Sequence, residues 1–545
     1  MDLLISLLSR LFPRLMNRIK IDVVVGRERK RRPHPFSLWT GSAGPPRNDV
    51  PDYCPALPPA PSAFAPSDYV SWPGLFDRSY TGRHLPPSDT PLADLPPAEA
   101  VVEAVFVREG PMRPCKKTSA LFCFFAQWFT DSFLRTHPCD RRRHTGNNEI
   151  DYCQIYGLDE GTTRALRAGH GGLMKMRALP GGDRLPLLVG ADGLIDPQFA
   201  GLSYVARGHQ QGASLGAFYQ ARLRDSFKPA VAEPARWNAM YAAGLDRGNS
   251  TIFYTALSTM CVREHNRIAR DLAALRPAWD DDRLFETARL INIHNVLEIV
   301  VEDYINHISG GPTFKLDSGF AEKRPWYRTN RISLEFNLLY RWHSLVPDEV
   351  VVDGQPLRHF DYRFNNRLLE ASGPERLINQ ASIAPAGRIG LFNTPKWLGR
   401  AEAASIMLGR EFRLQSFNAY CRRFSHKPYG SIRELVGGDA RAAAALEQLY
   451  GNDVEKVDFA VGLFAEGRSK SDPDAALPPL LRTMVAVDAF THILTNPVLS
   501  AQVREAAFDG DLAPFIRNTG GVTGLMARNS GPGERAVPSF SVKQK

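Results

Sequence analysis

From about residue 117 onward, apolar positions recur at helical spacing. Thr118 to Arg135 is apolar nearly all round (Ala120, Leu121, Phe122, Phe124, Phe125, Trp128, Phe129, Phe133), which predicts a buried helix. Residues 251–276 read as a second helix, stopped by Pro277. Residues 283–309 read as a third, opened by Asp280–Asp282 and closed by Gly310-Gly311. The same spacing covers 331–346, 401–424, 439–450 and 479–494. Strand signals are few and short, such as Val350-Val351-Val352 before the turn pair Asp353-Gly354. The pattern predicts a mostly α fold with few short strands, built as one large domain over 111–545.

Two different textures precede it. Residues 33–97 hold 16 of the 41 prolines, too many for long helices, so 33–110 is expected to run as a Pro-rich arm packed on the body. Residues 1–32 combine Leu3, Leu4, Leu7, Leu8, Leu11, Leu15 and Ile19 with interleaved arginines, and Pro13 should kink or restart the helix they form. This basic amphipathic segment fits an anchor lying on an anionic membrane face, or a terminal helix packed on its own domain.

Composition narrows the picture further. With 43% hydrophobic and 23% charged residues in 545, the chain has ample material for a core. It has no apolar run of the ~18 residues a spanning helix needs. The formal charge is +9, of which residues 1–32 supply +6 (nine Lys/Arg against three acids), so the body carries little excess and no nucleic-acid partner is expected. Seven cysteines at irregular positions give neither a disulfide framework nor zinc spacing, and fit a reducing compartment. The leading segment begins Met-Asp and stays basic, unlike a secretory signal. The expected location is cytoplasmic, or peripheral on the inner membrane face, and not secreted.

The most informative stretch runs from Arg331 to Asp348 and reads as a helix ended by Pro347-Asp348. Tyr340 and His343 lie three apart in it, which in a helix puts them on one face, about 5–6 Å between Cβ atoms. An imidazole there can bind haem iron axially, and a phenol can surrender an electron and a proton to a nearby oxidant. Alone, the spacing also fits core packing.

Phe336-Asn337-Leu338-Leu339-Tyr340-Arg341-Trp342-His343-Ser344-Leu345-Val346-Pro347-Asp348 resembles the signature of cyclooxygenases, within the animal haem peroxidase superfamily. Other segments agree and keep the family's order: Asp68-Tyr69-Val70-Ser71-Trp72, Phe124-Phe125-Ala126-Gln127-Trp128-Phe129-Thr130, Arg263-Glu264-His265-Asn266-Arg267, Ala386-Gly387-Arg388-Ile389-Gly390, Gln415-Ser416-Phe417-Asn418-Ala419-Tyr420 and Pro538-Ser539-Phe540-Ser541-Val542. The resemblance covers roughly residues 65–545. It implies a cyclooxygenase-like helical domain holding haem b, one per chain, with His343 as axial ligand to the iron and Tyr340 as the radical site.

Gln127 matches the family's distal, cofactor-facing glutamine. One turn further on, where the family has a distal histidine, this chain has Asp131. Peroxide heterolysis needs a base that takes a proton from one oxygen and returns it to the other. Imidazole does this near pH 7, whereas a carboxylate (reference pKa about 3.9) does it poorly unless its surroundings make it more basic. Asp131 therefore reads either as a distal acid/base or as a structural residue. Arg247 falls near the place where the myeloperoxidase-like branch carries a distal arginine, and its other reading is a solvated loop charge. Arg27 is the nearest match to the family's carboxylate-binding arginine, and Thr491 to its channel serine.

The resemblance implies a haem-dependent fatty-acid dioxygenase that adds O2 to an unsaturated fatty acid through a tyrosyl radical. A peroxidase of small reductants, or a haem- or lipid-binding protein that has lost peroxidase activity, are the rival readings. A homodimer is admitted but not specified.

Overall fold

The computed structural model describes residues 12–31, 36–37, 77–205 and 233–542, apart from 312, 318, 328, 329, 470, 471, 509, 517 and 518. Helices dominate it, as the periodicity predicts, and the described strands form three two-stranded antiparallel pairs.

Helix α1 spans Pro13–Arg31. Pro13 stands in its first turn, where the missing N–H removes no helical bond, so the proline starts this helix rather than kinking it. Of the Pro-rich arm, residues 38–76, including the Asp68–Trp72 cluster, lie outside the described residues. The arm's later part docks on the body: the Arg83 guanidinium is buried and donates to the Phe412 carbonyl at 2.6 Å.

Strand β1 (Pro114–Ser119) leads into α2 (Ala120–Thr130), so the apolar run expected as helix from Thr118 is extended at its start. Ser119 sets the boundary, its hydroxyl accepting the Phe122 N–H as the N-cap. Helix α3 (Ile252–Leu275) is capped in the same way by Thr251, and α4 (Asp281–Ile299) by Asp280. The helical path continues past α4 through a wider turn to Ser309, where Gly310 takes the left-handed conformation (φ 86°) that ends it.

Helix α3 is the axis of the domain. It packs against α2, α4 and a later helix, Pro374–Ile383, and every residue from Ile252 to Asn266 is buried. The charged and imidazole side chains among them are paired. Arg263 meets Glu375 at 2.5 Å, Glu264 receives Arg267 and Arg528, and His265 bonds Tyr156 at 2.9 Å. The Arg263–Arg267 motif is thus a structural tie, not a metal site.

The 331–346 segment departs from expectation. Helix α5 covers only Leu334–Leu339; Tyr340 is its C-cap, and His343–Leu345 form a separate short 3-10 turn. Tertiary contact overrides the helical period here. The Ser344 carbonyl lies against Gly387, where an added Cβ would come within 2.0 Å of it. Beyond it, β2 (Glu349–Val352) and β3 (Gln355–Arg358) pair through Asp353 (φ 52°) and Gly354 (φ 76°), the primed turn those residues predict.

Helix α6 (Pro374–Ile383) precedes β4 (Pro385–Gly387), which pairs with β1. The predicted 401–424 helix is split. Helix α7 (Gly399–Glu411) ends before Arg413, which takes φ 53°, and Ser416 caps a new helix, Phe417–Arg423. Helices α8 (Ala440–Tyr450) and α9 (Pro479–Leu494) match their predicted ranges.

Helix α1 lies against α9, with Ile21 and Val25 buried. Asp22 accepts the Trp326 indole N–H at 2.8 Å, and Asn17 donates to the Lys315 carbonyl. Phe12, Leu15, Ile19 and Val23 face the other way, each between 44% and 59% exposed. Among the described residues no helix is long and apolar enough to cross a membrane.

Cys139 is disulfide-bonded to a partner outside the described residues, while Cys115, Cys123, Cys153, Cys261 and Cys421 are free and buried. The irregular cysteine spacing hides this cross-link, and it no longer speaks for a reducing compartment.

Candidate active site

Helix α2 forms one wall of a cleft; α5 and the turn after it form the opposite wall. The start of α3 and the Tyr362-Arg363 and Trp397-Leu398 turns close the sides. The space between its walls is about 1080 Å³, open solvent at its mouth included.

Gln127 projects into the cleft from α2, its amide donating to the Ser250 hydroxyl at 3.2 Å. Asp131 caps the same helix, and its N–H bonds the Gln127 carbonyl, so the one-turn relation expected between the two holds. Arg247, in the turn before α3, reaches Asp131 Oδ1 at 3.3 Å. The second carboxylate oxygen, Oδ2, is buried without a hydrogen-bond partner. Oδ2 is enclosed, and Asp131's charge also acts on the buried Arg135.

Tyr340 and His343 both line this cleft, but the break after Leu339 means that they do not share a helix face. The Tyr340 ring packs edge-on to Phe336 (5.4 Å between centroids) and against Trp342 (4.8 Å). Burial, and then the charge of Asp488, push its phenol well above the ordinary tyrosine value. That keeps the proton on the ring oxygen, so oxidation of Tyr340 must release a proton with the electron. His343 turns Nδ1 away, to within 3.1 Å of Glu402 Oε1, which leaves Nε2 for the cleft.

The cleft is basic. Arg247, Arg341 and Arg363 all line it. Burial, then the nearby Arg247, pull the Arg341 guanidinium down to about 10 against the opposing pull of Asp131 and Glu402. Burial also brings Arg363 to about 10. Burial works against the charge of Arg135 behind the wall, but Asp246 and Asp131 overcome it and hold the group above its ordinary value. Desolvated cations such as Arg341 and Arg363 suit a ligand that brings its own anionic groups. A haem with two carboxylates fits that donor set, with the His343 imidazole and the Asp131–Arg247 pair lining the same cleft.

The five residues Gln127, Asp131, Arg247, Tyr340 and His343 therefore come together in one cleft, as the sequence predicts. Thr491 does not line it: its hydroxyl donates to the Val487 carbonyl within α9, and the side chain is buried. Arg27 lies in the last turns of α1, and its side chain falls outside the described residues. Arg341 lies inside the Phe336–Asp348 signature, which points to no role for it, whereas Glu402 and Asp488, the last held at 2.9 Å by the buried His84, have no sequence signal. Both act on residues far away in the chain, which no local motif announces.

Residues 145–493, more than half of the chain, match the animal haem peroxidase family. The chain belongs to that family. It is 31% identical to prostaglandin G/H synthase 2 of Bos taurus over 478 residues, covering 85% of this chain and 72% of that protein. To prostaglandin G/H synthase 1 of Mus musculus it is 30% identical over 488 residues (87% and 75%). Among solved structures, the fatty acid alpha-dioxygenase of Arabidopsis thaliana superposes with a TM-score of 0.66 at 16% identity, covering 97% of this chain and 93% of that one. Peroxidase A of Dictyostelium discoideum gives 0.61 at 17% identity (86% and 93%). The shared fold is that of this peroxidase class.

Proposed function

We propose that the protein is a haem-dependent fatty-acid dioxygenase working through a radical on Tyr340. The observation that carries this is the meeting of Tyr340 and His343 with Gln127 and Asp131 in a single cleft. The similarity to prostaglandin G/H synthases supports it. One haem b per chain would be held through His343 Nε2, with Arg341 and Arg363 as the cations for its carboxylates, and would supply a one-electron oxidant when activated by peroxide.

The remaining chemistry belongs to the chain and its substrate. Tyr340 gives up one electron and its phenolic proton. The phenoxyl oxygen then takes a hydrogen atom from the acyl chain, which re-forms the O–H bond and leaves a carbon radical. A bis-allylic carbon is the site this radical can attack, because that C–H bond is weak. O2 adds to the carbon radical, and the peroxyl product takes the hydrogen atom back from Tyr340. On the opposite wall, Asp131 moves the proton of the activating hydroperoxide between its two oxygens, and Arg247 stabilises charge on the departing one.

The outer stripe of α1, with Arg14 and Lys20 beside its exposed apolar residues, supports a second proposal: that face rests on an anionic membrane surface, from which an acyl chain can enter.

Oxygen uptake by the hemin-loaded protein, with products identified by mass spectrometry, tests the main reading. Linoleate and arachidonate should be oxygenated and palmitate should not. Palmitate consumed as fast as linoleate would overturn the bis-allylic step. Uptake by neither, with rapid oxidation of small reductants, would favour the peroxidase reading, which the half-exposed Arg247 at the cleft also suits.

A further inference from the structure

We infer that Glu402 is a positioning residue for the iron-side imidazole: its carboxylate takes the Nδ1–H of His343 and makes the ring an electron-rich ligand. This rests on the reading of His343 as the axial ligand.

Glu402 stands in the first turn of α7, 3% exposed, with Oε1 at 3.1 Å from His343 Nδ1. The two atoms are within ion-pair distance, although Nδ1 makes no aligned hydrogen bond. The carboxylate is itself held. Thr394 donates its hydroxyl to the same Oε1 at 2.9 Å, and the buried Arg341 senses its charge. A carboxylate this deeply buried is costly unless it meets donors, and the two donors around Oε1 are the Thr394 hydroxyl and the imidazole N–H.

The arrangement has two consequences. It fixes the tautomer, with hydrogen on Nδ1 and the lone pair on Nε2 directed into the cleft. It also raises the basicity of the ligand, as a carboxylate behind a metal-bound imidazole does. A more anionic ligand favours ferric over ferrous iron. In a protein whose O2 must reach a carbon radical, iron kept ferric does not capture that O2.

The test uses the full chain reconstituted with hemin and reads the ferric/ferrous midpoint potential and the ferrous iron–histidine stretching frequency. Glu402→Gln removes the charge and keeps the shape. The expected result is a shift of at least tenfold toward the ferrous form, a rise of about 59 mV for one electron, with a lower stretching frequency. Glu402→Asp should recover part of both, and Thr394→Val, which removes a competing donor from Oε1, should move both the opposite way by less. A Glu402→Gln protein that holds haem with both values unchanged overturns the inference. Should that variant bind no haem, Thr394→Val decides: a shift supports the inference, and native values overturn it. The underlying reading fails separately, if His343→Ala keeps the native haem spectrum.

Discussion

The aspartate in place of a distal histidine permits a demanding test. Asp131→Asn keeps the size of the side chain and an acceptor for Arg247 while abolishing its capacity to carry a proton. The structural cost should be small. The pair spans 3.3 Å and its Arg247 partner is 56% exposed, so the ion pair contributes at most about 1 kcal/mol. Arg135 retains its main partner, Asp246, at 2.7 Å. The chemical cost should be much larger. A positioned acid/base contributes roughly 10²–10⁴-fold, or about 2.7–5.4 kcal/mol at about 1.36 kcal/mol per decade. Stopped-flow consumption of a fatty-acid hydroperoxide, with haem content followed by absorbance, should therefore fall about a hundredfold or more in Asp131→Asn. Asp131→His, which places an imidazole there, should exceed the native rate. If both variants retain haem and consume hydroperoxide within about twofold of native, Asp131 moves no proton and its role is structural.

His343→Ala should lose most bound haem in a hemin titration while the apo-protein keeps its helical circular dichroism. Gly387→Ala should destabilise the protein by about 2–4 kcal/mol in denaturant unfolding, because a Cβ there would lie 2.0 Å from the Ser344 carbonyl; an unchanged midpoint would mean that the turn carrying His343 is not wedged as described. Replacing Leu15, Ile19 and Val23 on the outer face of α1 with aspartate should release the protein from anionic vesicles in a flotation assay with oxygen uptake from dispersed substrate retained, and undiminished flotation would remove the membrane role from α1.

Much of this architecture is written in local signals. Thr251 and Asp280 cap the helices they were expected to open, and Asp353-Gly354 makes the hairpin it predicts. Gln127 and Asp131 keep their one-turn relation because a helix carries it. What could not be read depends on distant partners. The 331–346 period looks helical throughout, yet the chain leaves the helix at Tyr340 because β4, more than forty residues later, lies against Ser344. The 401–424 period hides a left-handed residue at Arg413. Glu402 and Asp488 belong to no motif, and their importance is visible only where distance brings them to His343 and Tyr340. The disulfide at Cys139 is likewise a matter of proximity rather than spacing.

The account turns on the phenol of Tyr340. Tyr340→Phe removes one oxygen and leaves the contacts with Phe336 and Trp342 in place, so fold and haem absorbance should be native. Oxygen uptake with linoleate should then disappear; uptake persisting at the native rate, with haem fully bound, would contradict a tyrosyl radical at this position.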